Sequence, residues 1–171
     1  GYMLIGVASG SNFGYTGVVY YLMVYLLTNL MLFALIGWVE RSTGNSDLTS
    51  FAGLQKRSPM AALAIMIGLL SLGGIPPFGG FFAKLLVFGA AMQSNLAWLA
   101  ILGILNSVIS LYYYLRVMKV MYVDQPENED KLEQASVGWK AALAICAAAI
   151  ILLGVVLSPW FGIASFAAGG I

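Results

Sequence analysis

The chain alternates between long apolar stretches and short polar ones. The apolar stretches predict helices at residues 1–8, 15–39, 59–92, 96–122 and 139–157. Residues 15–39 carry no charge and are numerous enough to cross a bilayer. The first stretch is apolar from its first residue, so we interpret it as the end of a helix that begins outside this sequence. The pattern predicts an all-α fold, a polytopic transmembrane helix bundle, with a short tail at 161–171.

The stretch 59–92 has helix-breaking residues in its middle. Residues 69–88, which end at Phe88, read LLSLGGIPPFGGFFAKLLVF. Proline lacks a backbone donor and disfavours helix in the residue before it, and glycine permits other backbone conformations. An unbroken helix here would be about 51 Å long, whereas a bilayer core is about 30 Å thick. The prediction is one crossing made of two half-helices, with a break at 74–79. The break-forming residues are Gly73, Gly74, Pro76, Pro77, Gly79 and Gly80.

Composition narrows the chemistry that this chain can perform. It is 61% hydrophobic and 9% charged, which is typical of a membrane protein. A net charge of +1 argues against a nucleic-acid partner. Histidine is absent and Cys146 is the one cysteine, so the chain offers no metal-ligand spacing, disulfide or Ser-His-Asp triad. Proton chemistry would have to use lysine, carboxylates, tyrosine or water.

Charged residues other than Lys84 all fall in segments predicted to lie on one side of the membrane. The positive-inside rule makes that side cytoplasmic, so loops 40–58 and 123–138 are predicted to be cytoplasmic and the C-terminus periplasmic. The basic residues on that side are Arg41, Lys56, Arg57, Arg116, Lys119, Lys131 and Lys140. The carboxylates are Glu40, Asp47, Asp124, Glu127, Glu129, Asp130 and Glu133.

Lys84 is the ionisable residue predicted to lie inside the membrane. It is eight residues from the predicted exit near Met92, about 12 Å at helical rise. A lysine at that depth costs roughly 2.5–3.5 kcal/mol on insertion scales, and such residues mark ion or proton pathways. The alternatives are a lysine that snorkels to the interface and a structural ion pair. No carboxylate of this chain is predicted inside the membrane, so a partner would be water, backbone carbonyls or an acid outside this sequence.

Two further sets of polar residues are candidates for a proton pathway. Asn106, Ser110 and Tyr113 recur at helical spacing, as do Tyr25 and Thr28 on an earlier helix. The alternative for both sets is hydrogen bonding that holds membrane helices together. The run of three tyrosines that contains Tyr113 could equally form part of an aromatic belt.

The motif with two prolines, four glycines and Lys84 resembles the hallmark of the antiporter-like membrane subunits of respiratory complex I. The stretches LTSFAGL at 48–54 and LNSVISLYYYLRV at 105–117 resemble the same family. The resemblance is strong over residues 1 to about 123. Beyond that point it rests mainly on position and apolarity.

The resemblance implies a fourteen-helix antiporter-like fold, of which this chain supplies the C-terminal part. It implies a proton-translocating subunit of NADH–quinone oxidoreductase that contributes a half-channel, with Lys84 as the proton-transfer residue. No cofactor is expected in this chain, because NADH and quinone would be handled by other subunits. The implied partners are the other membrane subunits and the lipid bilayer. The implied location is the bacterial inner (plasma) membrane, or alternatively the thylakoid membrane.

Related complexes share the broken-helix motif, so the motif alone leaves two alternatives. One is a subunit of a multisubunit cation/proton antiporter, and the other is a subunit of a membrane-bound hydrogenase. A third possibility is a structural membrane scaffold without a working pathway. Transport measurements and replacement of Lys84 would discriminate among these functions.

Overall fold

The computed structural model describes residues 1–45, 47–126, 132 and 136–169. Within these ranges the chain is helical, with short connections and no strand. The elements in chain order are α1 (Tyr2–Ala8), α2 (Asn12–Thr43), a 3-10 helix (Leu48–Phe51), α3 (Leu54–Arg57), α4 (Pro59–Gly73), α5 (Gly79–Gln93), α6 (Ala97–Tyr122), α7 (Val137–Val155) and α8 (Leu157–Ala168).

Helix α2 is the central element of the bundle. It has 32 residues and packs against α1, α4, α5, α7 and α8. The Ser11 hydroxyl caps its first turn by accepting a hydrogen bond from the Gly14 amide at 3.0 Å. Gly44, with φ of 72°, ends it in the left-handed conformation. The helix is therefore longer at both ends than the predicted 15–39, because cap geometry and not apolarity sets its bounds.

Three of the described helices are long and apolar enough to cross a membrane, namely α2, α6 and α7. Helices α4 and α5 have 15 residues each, about 22 Å at helical rise, so neither alone matches a bilayer core. Residues 74–78 separate them and are not helical. The stretch 59–92 thus contains two separate helices with a short non-helical connection between them.

The described charges other than Lys84 cluster at one end of the bundle. At that end Gly53 donates to the Val120 carbonyl at 3.3 Å, and Lys119 pairs with Asp124 at 3.2 Å. At the opposite end the turns after α1 and α5 meet, where the Ser94 hydroxyl donates to the Ser9 carbonyl at 2.8 Å. We call these the charged end and the uncharged end.

The C-terminal region differs from its prediction. The span predicted at 139–157 is helix α7, which ends at Val155, and a further helix, α8, replaces most of the predicted tail. The sequence suggests that Pro159 helps to end the span, but this residue lies in the first turn of α8, where a missing backbone donor is tolerated. Two apolar residues of α8, Ala164 and Ala168, are buried, so packing sustains the helix.

The polar segment predicted at 40–58 is also more ordered than a loop. It contains the end of α2, the 3-10 helix and α3. Phe51 and Leu54 are buried there and join the core of the charged half, which explains why this segment folds back onto the bundle. The segment 123–138 lies partly outside the described residues, together with Lys131 and the carboxylates Glu127, Glu129, Asp130 and Glu133.

Candidate functional site: a lysine beside an interrupted helix

The interruption between α4 and α5 is held by hydrogen bonds across it. Gly74 adopts φ of 79° and donates to the Ser71 carbonyl at 3.0 Å. The buried Ser71 hydroxyl accepts a hydrogen bond from the Gly80 amide, in the first turn of α5, at 3.2 Å. One serine of α4 thus satisfies a backbone donor of α5 that has no partner within its own helix. The two half-helices are linked directly and not only through the connecting segment.

Glycine is required where the backbones approach most closely. A Cβ on Gly80 would overlap the Ser71 carbonyl oxygen. A Cβ on Gly154, near the end of α7, would overlap the Pro77 carbonyl oxygen and lie 2.6 Å from the carbonyl carbon of Phe78. The end of α7 therefore packs directly against the α4–α5 interruption.

Lys84 extends from the second turn of α5 toward the interruption. It is 6% exposed, and its Nζ donates to the Gly73 carbonyl at 3.3 Å. The same nitrogen lies 4.8 Å from the ring centroid of Tyr2, within cation–π range. The described carboxylates lie at the charged end, so within the described chain the ammonium has a carbonyl and an aromatic ring as partners and no carboxylate.

A cavity of about 340 Å³ opens beside Lys84, between the interruption and α6. Most of the residues that line it are apolar, and Lys84 and Ser107 are the polar side chains among them. Irregular backbone at membrane depth is tolerated where it lines a cavity or is buried in protein. The cavity gives the amine a space in which a proton donor or acceptor can reach it.

Tyr2 connects this site to α6. Its hydroxyl accepts hydrogen bonds from Asn106 Nδ2 at 3.2 Å and from Ser107 Oγ at 3.1 Å. Its ring stacks on Tyr21, with centroids 6.3 Å apart, and meets Phe88 edge-on at 5.9 Å. The phenol is therefore fixed by contacts from α2, α5 and α6.

The structure brings together only some of the residues that the sequence singled out. Asn106 reaches the Lys84 site through Tyr2, but the Ser110 hydroxyl bonds the Asn106 carbonyl within α6 at 2.8 Å. Tyr113 is 57% exposed and packs on its neighbour Tyr112. The Lys84 amine has its hydrogen bond to Gly73 and its ring contact with Tyr2, and neither involves Ser110 or Tyr113.

The candidates on α2 also separate. Thr28 is fully buried and donates to the Val24 carbonyl of its own helix at 2.7 Å. Tyr25 is 44% exposed and lies against Tyr21, which in turn lies against Tyr2. Tyr25 therefore lies next to the stacked rings of Tyr2 and Tyr21, whereas the Thr28 hydroxyl makes its hydrogen bond within its own helix.

Sequence reasoning missed Tyr2, Ser107 and Tyr114. Tyr2 lies in the short first helix, which shows no polar periodicity. Ser107 directly follows Asn106 and could have been included with it. Tyr114, unlike Tyr112 and Tyr113, is half-buried and packs near Gly73. Helical spacing identifies residues that share a face, but it does not say which face meets the site.

The region between the site and the charged end is apolar. A second cavity of about 250 Å³ lies there between α2, α4 and α6, and all its lining side chains are hydrophobic: Leu32, Ile36, Leu48, Phe51, Ile65, Leu69 and Val117. Beyond it, a cavity at the charged end is lined by Arg116, Lys119 and Asp124 among others. No group of three or more potential metal ligands occurs among the described residues.

Comparison with known proteins agrees with the resemblance seen in the sequence. Residues 1–110 match the family described as "NADH:quinone oxidoreductase/Mrp antiporter, TM". NAD(P)H-quinone oxidoreductase subunit 2 of Synechococcus elongatus is 38% identical over 99% of this chain and 34% of its own length. NADH-quinone oxidoreductase subunit N of Hydrogenovibrio crunogenus is 39% identical over 92% of this chain and 33% of its own. The chain thus spans about a third of the length of these relatives.

Solved structures show the same helical arrangement. A chain of respiratory complex I from Thermus thermophilus matches with a TM-score of 0.82 and 25% identity, over 94% of this chain and 36% of that one. A chain of the Mrp complex from Dietzia sp. matches with a TM-score of 0.86 and 23% identity, over 99% of this chain and 40% of that one. At this identity the Mrp likeness concerns the fold alone. Because the family match covers more than half of the chain and its curated relatives are 38% and 39% identical, the chain belongs to the NADH:quinone oxidoreductase/Mrp antiporter family of membrane proteins.

Proposed function

We propose that this chain is part of a proton-translocating membrane subunit of an NADH–quinone oxidoreductase. The observation that carries the proposal is a buried lysine beside interrupted helical backbone and a cavity, with no carboxylate partner among the described residues. Lysine in such a place can take up and release a proton, whereas a permanently paired lysine could not do so readily. The names of the curated relatives support the choice of complex.

In the proposed mechanism, Lys84 is the proton-transfer residue of a half-channel. A proton reaches the neutral amine through water in the cavity and forms the ammonium, which the Gly73 carbonyl and the Tyr2 ring then stabilise. Release of the same proton returns the amine to its starting state. An acid from another part of the subunit or from a neighbouring subunit would drive loading and release by changing its own charge.

The distribution of polar groups supports a half-channel that is closed toward the charged end. The cavity lined by Phe51, Ile65 and Val117 offers a passing proton no hydrogen-bonding side chain. Near Lys84, by contrast, Tyr2 and its two hydrogen-bond donors on α6 provide such groups. We therefore propose that, within this chain, the proton does not reach Lys84 from the charged end.

We further propose that in the complete subunit α4 and α5 form one broken crossing of a fourteen-helix antiporter-like fold. Electron transfer, NADH and quinone belong to other subunits, and this chain holds no cofactor. The membrane is the bacterial plasma membrane or the thylakoid membrane. The segments 40–58 and 123–138 face the cytoplasm, and the C-terminus faces the periplasm.

The proposed sidedness can be tested with two exposed glutamines, one at each end of the bundle. Gln125→Cys and Gln93→Cys are made separately in the full-length subunit, with Cys146→Ala and the other cysteines removed. An impermeant maleimide should label position 125 only from the cytoplasmic side and position 93 only from the periplasmic side. The reverse pattern would overturn the topology.

A cation/proton antiporter subunit is the second candidate function, because the description of the matching family names the Mrp antiporter beside NADH:quinone oxidoreductase. The test is purification of the assembly that contains the full-length subunit, followed by reconstitution into liposomes. We expect NADH-driven quinone reduction coupled to proton uptake, with the same rate in sodium and potassium buffers. Sodium-dependent proton exchange by an assembly without quinone reductase activity would establish the antiporter instead.

A further inference from the structure

The Lys84 ammonium rests on the face of an aromatic ring whose own position is fixed from a different helix. Lys84 belongs to α5, Tyr2 to α1, and the two hydrogen-bond donors to Tyr2 belong to α6. The ring-to-nitrogen distance of 4.8 Å is short enough for a cation–π interaction, which is strongest where water is excluded. Lys84 is 6% exposed, so most of its side chain is removed from bulk solvent.

From this geometry we infer that Tyr2 is a positioning residue for Lys84. The Tyr2 ring favours the charged form of Lys84 and holds its Nζ beside the Gly73 carbonyl. Asn106 and Ser107 act on the lysine through Tyr2, because their hydrogen bonds fix the phenol. This gives Asn106 and Ser107 a positioning role at the site in addition to the hydrogen-bonding groups that they offer to a proton. The inference rests on the proposed function, since it concerns how the proton-transfer residue is held.

The other titratable groups near the amine belong to a small set. On α2, the Tyr21 ring stacks on the Tyr2 ring with centroids 6.3 Å apart, and on α6, the half-buried Tyr114 lies near Gly73. Helix α4 contributes a backbone carbonyl, from Gly73. Among the described residues none of these groups is a carboxylate. The face of the Tyr2 ring is therefore the main side-chain contact that stabilises the Lys84 ammonium more than the neutral amine.

The test compares Tyr2→Leu with Tyr2→Phe in the complete, assembled complex in liposomes. Leucine removes the ring face, so loading of Lys84 needs a higher proton concentration. We expect the pH profile of proton translocation to move by about one unit toward lower pH, a tenfold change in proton concentration. Phenylalanine keeps the ring and should restore most of the profile. The double variant Asn106→Leu with Ser107→Ala frees the phenol and should give a smaller shift in the same direction.

Tyr112→Leu is the matched control, because Tyr112 is 65% exposed on α6. It should leave the pH profile unchanged. An unchanged profile for Tyr2→Leu, or equal shifts for Tyr2→Leu and Tyr2→Phe, would overturn the positioning role of the ring. Lys84→Met is measured in parallel. Normal pumping by that variant would defeat the proposed function itself, whereas impaired pumping with an unaffected Tyr2→Leu would defeat only the inference about Tyr2.

Discussion

Replacing Lys84 with methionine should leave the complex assembled but lower its coupled proton transport by about tenfold or more, since a positioned proton-transfer group typically contributes about 10²–10⁴-fold. Methionine keeps a long apolar side chain and removes the titrating amine. The Gly73 carbonyl loses one hydrogen bond, at 3.3 Å, which is a modest structural loss. The measurements are the rate of NADH-driven proton translocation by the purified complex in liposomes and the ratio of protons translocated to electrons transferred.

Two companion variants sharpen this result. Lys84→Arg should also be impaired, because arginine keeps the positive charge but does not release its proton. Lys140→Met removes an exposed lysine at the charged end and should leave the ratio unchanged. If Lys84→Met translocated protons at the normal ratio, Lys84 would be structural and the proposed half-channel would be wrong.

Replacing Gly154 with alanine should destabilise the subunit strongly, although it adds only a methyl group. The added Cβ would overlap the Pro77 carbonyl oxygen, and both groups are held by backbone, which cannot rotate away. Overpacking of this kind typically costs about 1–3 kcal/mol, and relief requires α7 to move away from the interruption. Thermal unfolding of the assembled complex, followed through the amount of subunit retained, would measure the loss.

Gly138→Ala provides the control in the same helix. Gly138 has no atom near its Cβ position, so alanine there meets open space. Alanine is the better helix former by about 1 kcal/mol, so this variant should be neutral or slightly stabilising. Equal stability of the two variants would mean that α7 at Gly154 does not lie against the Pro77 carbonyl.

The local features of the site follow from residue chemistry and could be predicted. Proline without a donor and glycine with a permissive backbone require an interruption between Gly73 and Gly79 wherever this segment lies. Lys84 stands alone in a long uncharged stretch that runs from Arg57 to Arg116, so hydropathy alone marks it as unusual. The grouping of the other charges at one end likewise follows from the alternation of apolar and polar segments.

The contacts of the site could not be predicted, because they join helices that are distant in sequence. Tyr2 and Asn106 are far apart in the chain, and no periodicity links them. Spacing favours Tyr113 over Tyr114, but packing against Gly73 decides which tyrosine turns inward. Thr28 satisfies the same spacing rule, yet its hydroxyl bonds its own helix.

Helix α8 shows a different limit of sequence reasoning. A proline after a long apolar span indicates the end of that span, and Pro159 occupies such a position. The same residue is equally compatible with the first turn of a new helix, where its missing donor costs nothing. Burial of Ala164 and Ala168 against the bundle decides between the two, and that packing is not visible in the local sequence.

The depth of Lys84 along α5 makes the site sensitive to voltage. Gln93 lies nine positions after it, about 14 Å at helical rise, which is roughly half of a bilayer core. A proton that moves between either membrane surface and Lys84 therefore crosses about half of the transmembrane potential, worth about 1.1 kcal/mol per 100 mV. Across an energised membrane this alters the proton occupancy of the amine about sevenfold per 100 mV. The membrane potential that the complex builds would then act directly on the group that helps to generate it.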